Sequence, residues 1–216
     1  MTIYDKIHTY LANRHKPVIF EMGMHWGEDT RRLMGYCSEQ PKGYYGFEPD
    51  PRNIATIDTY KYNLPYEFTL VQGAISDKNG ESDFHLSNGT HLASGNQMTG
   101  ANSLREPAVV LTKHPWISFD TKIKVKTYRL DTFCQDNNID KIDFIWADLQ
   151  GCEYDMLKGA GDILNNIGMI FMEYSPLELY KGQKDLKALL SLFDKSWEVS
   201  EITATDVLIK NTKWTG

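Results

Sequence analysis

Residues 17–37 read PVIFEMGMHWGEDTRRLMGYC. Pro17 to Glu21 is a short apolar run that enters Gly23, and from Gly27 to Cys37 the positions Thr30, Leu33, Met34 and Cys37 recur at helical spacing. The stretch therefore predicts strand, turn, helix. A second unit follows, with Gly43 to Phe47 as strand and Asn53 to Tyr60 as helix. Pro49, Asp50 and Pro51 mark the entry to that helix, where a proline suits a first turn. Phe68 to Ile75 predicts a third strand. Further along, Lys141 to Ala147 reads as strand, Glu153 to Leu164 as helix, Met169 to Met172 as strand and Leu186 to Phe193 as helix. Strands alternating with helices imply a doubly wound α/β fold, a mostly parallel sheet covered on both faces. Trp197 to Ile202 and Asp206 to Ile209, separated by a short gap, predict a C-terminal antiparallel hairpin that brings the sheet to seven strands.

Outside this frame two segments stand apart. Residues 1–15 predict an N-terminal helix, because Ile3, Tyr4, Ile7, Tyr10 and Leu11 fall at helical spacing among charges, without the apolar block of a signal peptide. Ser87 to Asp120 is rich in Ser, Asn, Gly, Thr and His and far longer than the usual connection of roughly four to six residues. It is flanked by two alternating runs, Glu81 to Leu86 and Ile123 to Tyr128, that can pair. Residues 81–128 are thus expected to form an anchored, substrate-side insertion between the third and fourth strands of one domain spanning 1–216.

Composition narrows the function. The 29 acidic residues against 23 basic give a net charge of -6, and no Lys/Arg cluster offers the footprint of a nucleic-acid binder. No run approaches the ~20 apolar residues of a membrane span. Cys37, Cys134 and Cys152 are odd in number and scattered, which suggests neither a disulfide framework nor a metal site, so a cytoplasmic location is expected. Asn88-Gly89-Thr90 matches a glycosylation acceptor, a triplet common by chance. The sequence predicts no particular oligomeric state.

The first turn, Glu21 to Gly27, lies where a doubly wound fold places its cofactor loop, with Gly23 permitting the bend and Gly27 opening the helix. A dinucleotide fingerprint needs a small residue where His25 stands, and GxxxxGK[ST] is absent, so a cofactor without phosphates fits better. Glu48 closes the second strand, where an acid accepts hydrogen bonds from ribose hydroxyls; alone it reads equally as a solvated strand-end acid.

Four blocks in order, Phe20 to Thr30 (FEMGMHWGEDT), Phe47 to Asn53 (FEPDPRN), Ala74-Ile75-Ser76-Asp77 and Ile139 to Ala160 (IDKIDFIWADLQGCEYDMLKGA), resemble the motifs of FkbM-type methyltransferases. Asp148, Gly151, Glu153 and Gly159 stand in register with the family's IDFxKxDVEGxExxVLKGA segment. The resemblance implies a Rossmann-like class I methyltransferase that uses S-adenosylmethionine (SAM). It implies SAM binding near Glu21, Gly23, His25, Gly27, Thr30 and Asp148, ribose recognition by Glu48 beside Pro49, and adenine contact near Ile75 and Ser76. Three departures bear on chemistry: His25 replaces the usual Asn, Trp146 a Lys and Gln150 a Glu.

Methyl transfer is an in-line displacement, so alignment of a nucleophile at about 3 Å and exclusion of water come first. A positioned base adds roughly 10²–10⁴-fold. Asp148, at the carboxyl end of the fourth strand, is the leading candidate, with cofactor positioning or helix capping as the competing reading. Glu153 near the helix start is a second catalytic candidate or a purely electrostatic acid; His25, at the reacting end of the cofactor, is a third. Asp148 and Glu173 end neighbouring strands and could converge on a divalent cation such as Mg²⁺, although two such acids need no metal. His85, His91 and His114 form no HExxH pattern. Ser103, in Asn102-Ser103-Leu104, which is similar to a short family motif, and Tyr174 are candidate substrate contacts. Trp116, Phe119, Tyr174 and Tyr180 form either a sugar platform or core. The expected activity is O-methylation of a sugar hydroxyl in a glycan or glycosylated metabolite. A peptide, lipid-headgroup or amine acceptor and a non-catalytic SAM-fold binding module are the alternatives.

Overall fold

A computed structural model of the chain describes residues 1–90 and 97–215. Helix α1 (Ile3–Ala12) starts in a capping box, Thr2 accepting from the Asp5 N–H while Asp5 accepts from the Thr2 N–H, and buries Ile3, Ile7, Tyr10 and Leu11. Strand β1 (Val18–Met22) leads to α2 (Glu28–Tyr36), and β2 (Gly43–Glu48) to α3 (Pro51–Tyr60), which Asp50 caps by accepting from the Arg52 N–H. Strand β3 (Thr69–Gln72) completes the first half.

The chain then leaves the main sheet. The expected third strand from Phe68 to Ile75 is divided, because β4 (Ala74–Ile75) pairs with the insertion instead of with β2. Strand β5 (Gly80–Gly89) runs antiparallel to β6 (Ile117–Tyr128), with Glu81 opposite Lys126 and Leu86 opposite Thr121, so the two alternating runs pair as their pattern predicts. A short helix α4 (Val110–Lys113) lies between them. Together β4, β6 and β5 make a separate three-stranded sheet around Ala74, Phe84, Leu86 and Val125.

Helix α5 (Leu130–Asp136), which the sequence reading did not foresee, returns the chain to β7 (Ile142–Ala147), α6 (Glu153–Ala160), β8 (Ile167–Glu173), α7 (Leu186–Leu190), β9 (Trp197–Ile202) and β10 (Asp206–Asn211). The helix expected to reach Leu164 stops at Ala160, and Gly161–Asn166 continues as a 3₁₀ turn. The seven-stranded sheet has the order β3-β2-β1-β7-β8-β10-β9, parallel except for β10, which is antiparallel to both neighbours. On one face α5, α6 and α7 pack on Phe20, Ile145 and Ile170; on the other, α1 and α2 pack on Ile19, Phe144 and Phe171. Strand order reverses between β1 and β7, and ligands of such sheets sit outside the carboxyl ends at that reversal. Among the described residues no helix is long and apolar enough to cross a membrane.

Candidate functional site

The turn after β1 is fixed by backbone bonds to both neighbouring strands. Gly23 and Met24 N–H groups donate to Phe47 O at 3.1 and 3.0 Å, and the Asp148 N–H donates to Met22 O at 3.0 Å. Gly23 has φ +83°, and a Cβ there would stand 1.9 Å from the carbonyl oxygen of Asp148, so only glycine lets the loops after β1 and β7 meet. Gly27, at φ +80°, caps α2, whose first turn carries Glu28 and Asp29. Two carboxylates at that helix start repel a phosphate. Beneath the turn, Glu21 accepts from Thr30 Oγ1 at 2.7 Å and the Tyr44 hydroxyl at 2.6 Å, and burial pushes its carboxyl up to about 8.

Above the turn opens a cleft lined by residues at the carboxyl ends of β1, β2 and β7. Of the residues singled out from sequence, Gly23, His25, Glu48, Pro49, Ile75 and Asp148 line it. Glu21, Gly27, Thr30, Ser76, Ser103, Glu153, Glu173 and Tyr174 do not. Glu48, 4% exposed, accepts from the N–H groups of His25 at 2.8 Å and Asp50 at 2.7 Å, and burial raises its carboxyl to about 7. His25 adopts φ +52°, stacks on Trp26 and places Nε2 2.9 Å from Thr99 Oγ1 and Nδ1 3.0 Å from Glu28. Thr99 donates to Asn53 Oδ1 at 2.7 Å, and Asn53 Nδ2 donates to Glu48 at 3.3 Å, closing a ring of hydrogen bonds back to His25. This ring fastens the insertion to the cofactor loop.

The insertion contributes a strap, the segment from Thr99 to Leu104. Ser103 pairs as an extended residue with His85, so side chains alternate across the strap. Asn102 and Leu104 thereby line the cleft, whereas Ser103 Oγ turns away and donates to Gln150 O at 2.8 Å. Asn102 accepts from Ser87 N–H at 2.7 Å and donates to Asp50 at 2.7 Å. Phe84, Thr99 and Gly100 also line the cleft and carried no motif, and Asn53, the last residue of the FEPDPRN block, joins them. Ser76 is placed behind the wall: a Cβ on Gly159 would come 2.2 Å from its carbonyl oxygen, so α6 packs there only through glycine.

At the Asp148 end the acids gather. Gln150, strained at φ +49°, donates from Nε2 to Asp148 at 2.6 Å and to Glu173 at 3.3 Å, and its Oε1 lies 3.0 Å from the Tyr180 hydroxyl. Burial raises both Asp148 and Glu173, and Glu173 is raised further by the charge of Asp148. Glu153 is 3% exposed and accepts from the Leu149 N–H at 2.9 Å; burial pushes it up to about 7. Its carboxyl thus knits the start of α6. The structure brings Asp148 and Glu173 together as a metal reading requires, but an amide N–H bridges them. Among the described residues no three His, Cys, Asp or Glu group as a metal site. Gln150, Glu153, Glu173, Tyr174 and Tyr180 line a second cleft that shares Gln150 with the first.

The remaining candidates scatter. Trp146 stacks on Phe171 at 3.9 Å in the core under α1, so its departure from the family pattern does not touch either cleft. Trp116 packs edge-on against His114 at the surface, Phe119 packs on Tyr180, and only Tyr174 and Tyr180 of the four aromatics border a cleft. His91 lies outside the described residues. The three cysteines are buried and free.

The family described as the Methyltransferase FkbM domain matches residues 15–198. The 2-O-methyltransferase NoeI of Sinorhizobium fredii (strain NBRC 101917 / NGR234) is 38% identical over 207 residues, which cover 94% of this chain and 83% of NoeI. Among crystal structures, methyltransferase FkbM from Methylobacillus flagellatus KT aligns with 96% of this chain at a TM-score of 0.54 and 15% identity; this chain spans 50% of that one. An rRNA methylase from Streptococcus thermophilus aligns with 97% of this chain and 94% of its own at 0.53 and 13%. Aeropyrum pernix fibrillarin, with natively bound S-adenosyl-L-methionine, aligns over 95% of this chain and 73% of its own at 0.50 and 10%. At such identities the structural likenesses show the fold, a Rossmann-like methyltransferase fold.

Proposed function

The chain belongs to the FkbM family of SAM-dependent methyltransferases, and from that premise we propose that it methylates a hydroxyl of a sugar in a glycan or glycosylated metabolite. Oxygen as the acceptor atom is supported by the 38% identity to a 2-O-methyltransferase. The observation that carries the reading is the acid pair Asp148–Glu173, bridged by the Gln150 amide at the junction of the two clefts, since a hydroxyl, unlike a neutral amine, must lose its proton to become a good nucleophile.

The residues of the first cleft fit SAM. Its lining holds no lysine or arginine, as a phosphate-free ligand allows, and Glu48, which accepts from His25, Asp50 and Asn53, retains acceptor capacity on Oε2 for a ribose hydroxyl. Ala74, Ile75, Phe84 and Leu104 offer an apolar wall for the adenine, and Gly23, His25 and Asp148 flank the amino-acid end. When bound, SAM supplies a methyl group on a sulfonium, and transfer forms a C–O bond as the C–S bond breaks. In the pair Asp148–Glu173, a carboxylate takes the proton released by the acceptor. Gln150 keeps the two acids in place. His25, with both ring nitrogens engaged, shapes the wall rather than accepting the proton. Free buried cysteines suit a reducing compartment, and we place the reaction in the cytoplasm.

Asp148→Asn tests the assignment. Transfer of labelled methyl from SAM to a panel of neutral glycans should fall roughly 10²–10⁴-fold while SAM affinity stays within a few-fold. Undiminished transfer in the variant contradicts the role of Asp148, and wild-type transfer only to amines or peptides contradicts the sugar reading.

A further inference from the structure

The second cleft is separated from the first by little more than the Gln150 side chain and its loop. Gln150 lines both, Asp148 lines the first, Glu173 lines the second, and one amide bonds to both acids. The second cleft is bounded by Gln150, Glu153, Glu173, Tyr174 and Tyr180. Its walls are built without a ligand. The Tyr174 N–H donates to Thr205 O at 2.7 Å and its hydroxyl to Thr203 O at 2.7 Å, which fixes the ring across the ends of β8 and β10. On the other side Tyr180, 1% exposed, has its hydroxyl 2.8 Å from Ala101 O and 3.0 Å from Gln150. The backbone around Tyr180 is itself tied to the insertion, with Ala108 N–H donating to Leu179 O and Lys181 N–H to Glu106 O, both at 2.9 Å. The insertion therefore acts here as scaffold, holding the wall from behind.

The lining chemistry is one-sided. Two carboxyl groups, Glu153 and Glu173, face the cleft with the hydroxyls of Ser175 and Thr205 and the amides of Gln150 and Gln183, and no Lys, Arg or His lines it. Of the cations around it, Arg105 pairs with Asp155 at 2.6 Å and Lys181 with Glu106 at 2.7 Å, while Lys184 lines the neighbouring groove that shares Ser175 and Gln183 with the cleft. We propose that this second cleft is the acceptor site and that it selects an uncharged, hydroxyl-bearing ring, excluding anionic sugars such as uronates and sugar phosphates. Amides, hydroxyls and carboxyl oxygens satisfy sugar hydroxyls, and the Tyr174 ring covers an apolar sugar face. An anion would meet carboxyl oxygens in a partly desolvated site whose own lining carries no cation. The inference rests on the methyl-transfer reading of the first cleft.

The test is backbone-amide NMR of the full chain. S-adenosylhomocysteine is titrated first, and its shifts should fall around Gly23, Glu48 and Ile75. Methyl hexopyranosides are then added to the saturated protein up to roughly 50 mM, a concentration suited to millimolar binding, followed by the matching hexuronates and hexose phosphates. Shifts at residues 150–153, 173–175 and 203–206 with the neutral glycosides, at least about 10-fold weaker with the anions, are the expected result. Thr205→Trp, at an exposed lining position, should abolish the glycoside shifts and leave those of S-adenosylhomocysteine. Glycoside shifts mapping elsewhere, equal response to the anions, or no response on a protein that binds S-adenosylhomocysteine overturns the acceptor site alone. Failure of S-adenosylhomocysteine to bind overturns the methyl-transfer reading, and the inference with it.

Discussion

Glu21 carries a carboxyl 1% exposed beneath the cofactor turn, held by Thr30 and Tyr44. Burial disfavours its charge, so the folded protein binds this proton more tightly than the unfolded chain does: about 8 against the ordinary 4.5. Its contribution to stability is fully present below about pH 4.5 and is lost progressively as the pH rises to about 8. Glu48 and Glu153, each raised to about 7 by burial, act in the same direction. Glu21→Gln keeps an oxygen to accept from both partners but cannot ionise. The fall in Tm between about pH 5 and about pH 8.5 should therefore shrink by on the order of a few °C relative to wild type. An unchanged fall in thermal unfolding at the two pH values contradicts the buried-acid account. The same scale shows what a motif can and cannot say. Asn102-Ser103-Leu104 was legible as a site segment, but which of its side chains faces the cleft depends on a strand alternation set by the bridge to His85, a partner 18 residues away that no local pattern names.

Among the elements, the strap from Thr99 to Leu104 carries the strongest structural commitment. Asn102 satisfies the buried Ser87 N–H and donates to Asp50, the cap of α3. Asn102→Ala leaves the buried Ser87 N–H without a partner and removes one donor to Asp50, which Arg52 still holds, a loss of about 1–3 kcal/mol in urea unfolding, and should speed hydrogen exchange of amides 98–104. Unaltered stability and exchange would mean that the strap is held by other contacts. Elements with a long period were readable: β1, β2, β7, β8 and the closing hairpin fall where their apolar runs place them. Two were not. The run from Phe68 to Ile75 is continuous in composition, yet its last two residues answer to β6, a long-range pairing. Helix α5 has only seven residues, too few to show a helical period beside the strand before it.

For the whole molecule, alternation of strands and helices was enough to foresee a seven-stranded, doubly wound sheet, and the reversal of strand order then dictates where ligands gather. The hydrogen bonds by which Gln150 meets Glu173 and Tyr180 on that edge were not foreseeable, because they join the loop after β7 to the end of β8 and the loop that follows it. Two adjoining clefts at one sheet edge, the first proposed for SAM and the second for its acceptor, are the consequence. The account depends first on the cofactor cleft. Isothermal titration of the purified protein with SAM tests it directly, alongside Glu48→Ala. Micromolar-range binding that weakens roughly 10–100-fold in the variant, the equivalent of losing hydrogen bonds to a charged acceptor, is the predicted result. A folded wild type that gives no heat at several temperatures and no thermal shift with SAM, or a Glu48→Ala variant that binds SAM as tightly as wild type, contradicts it.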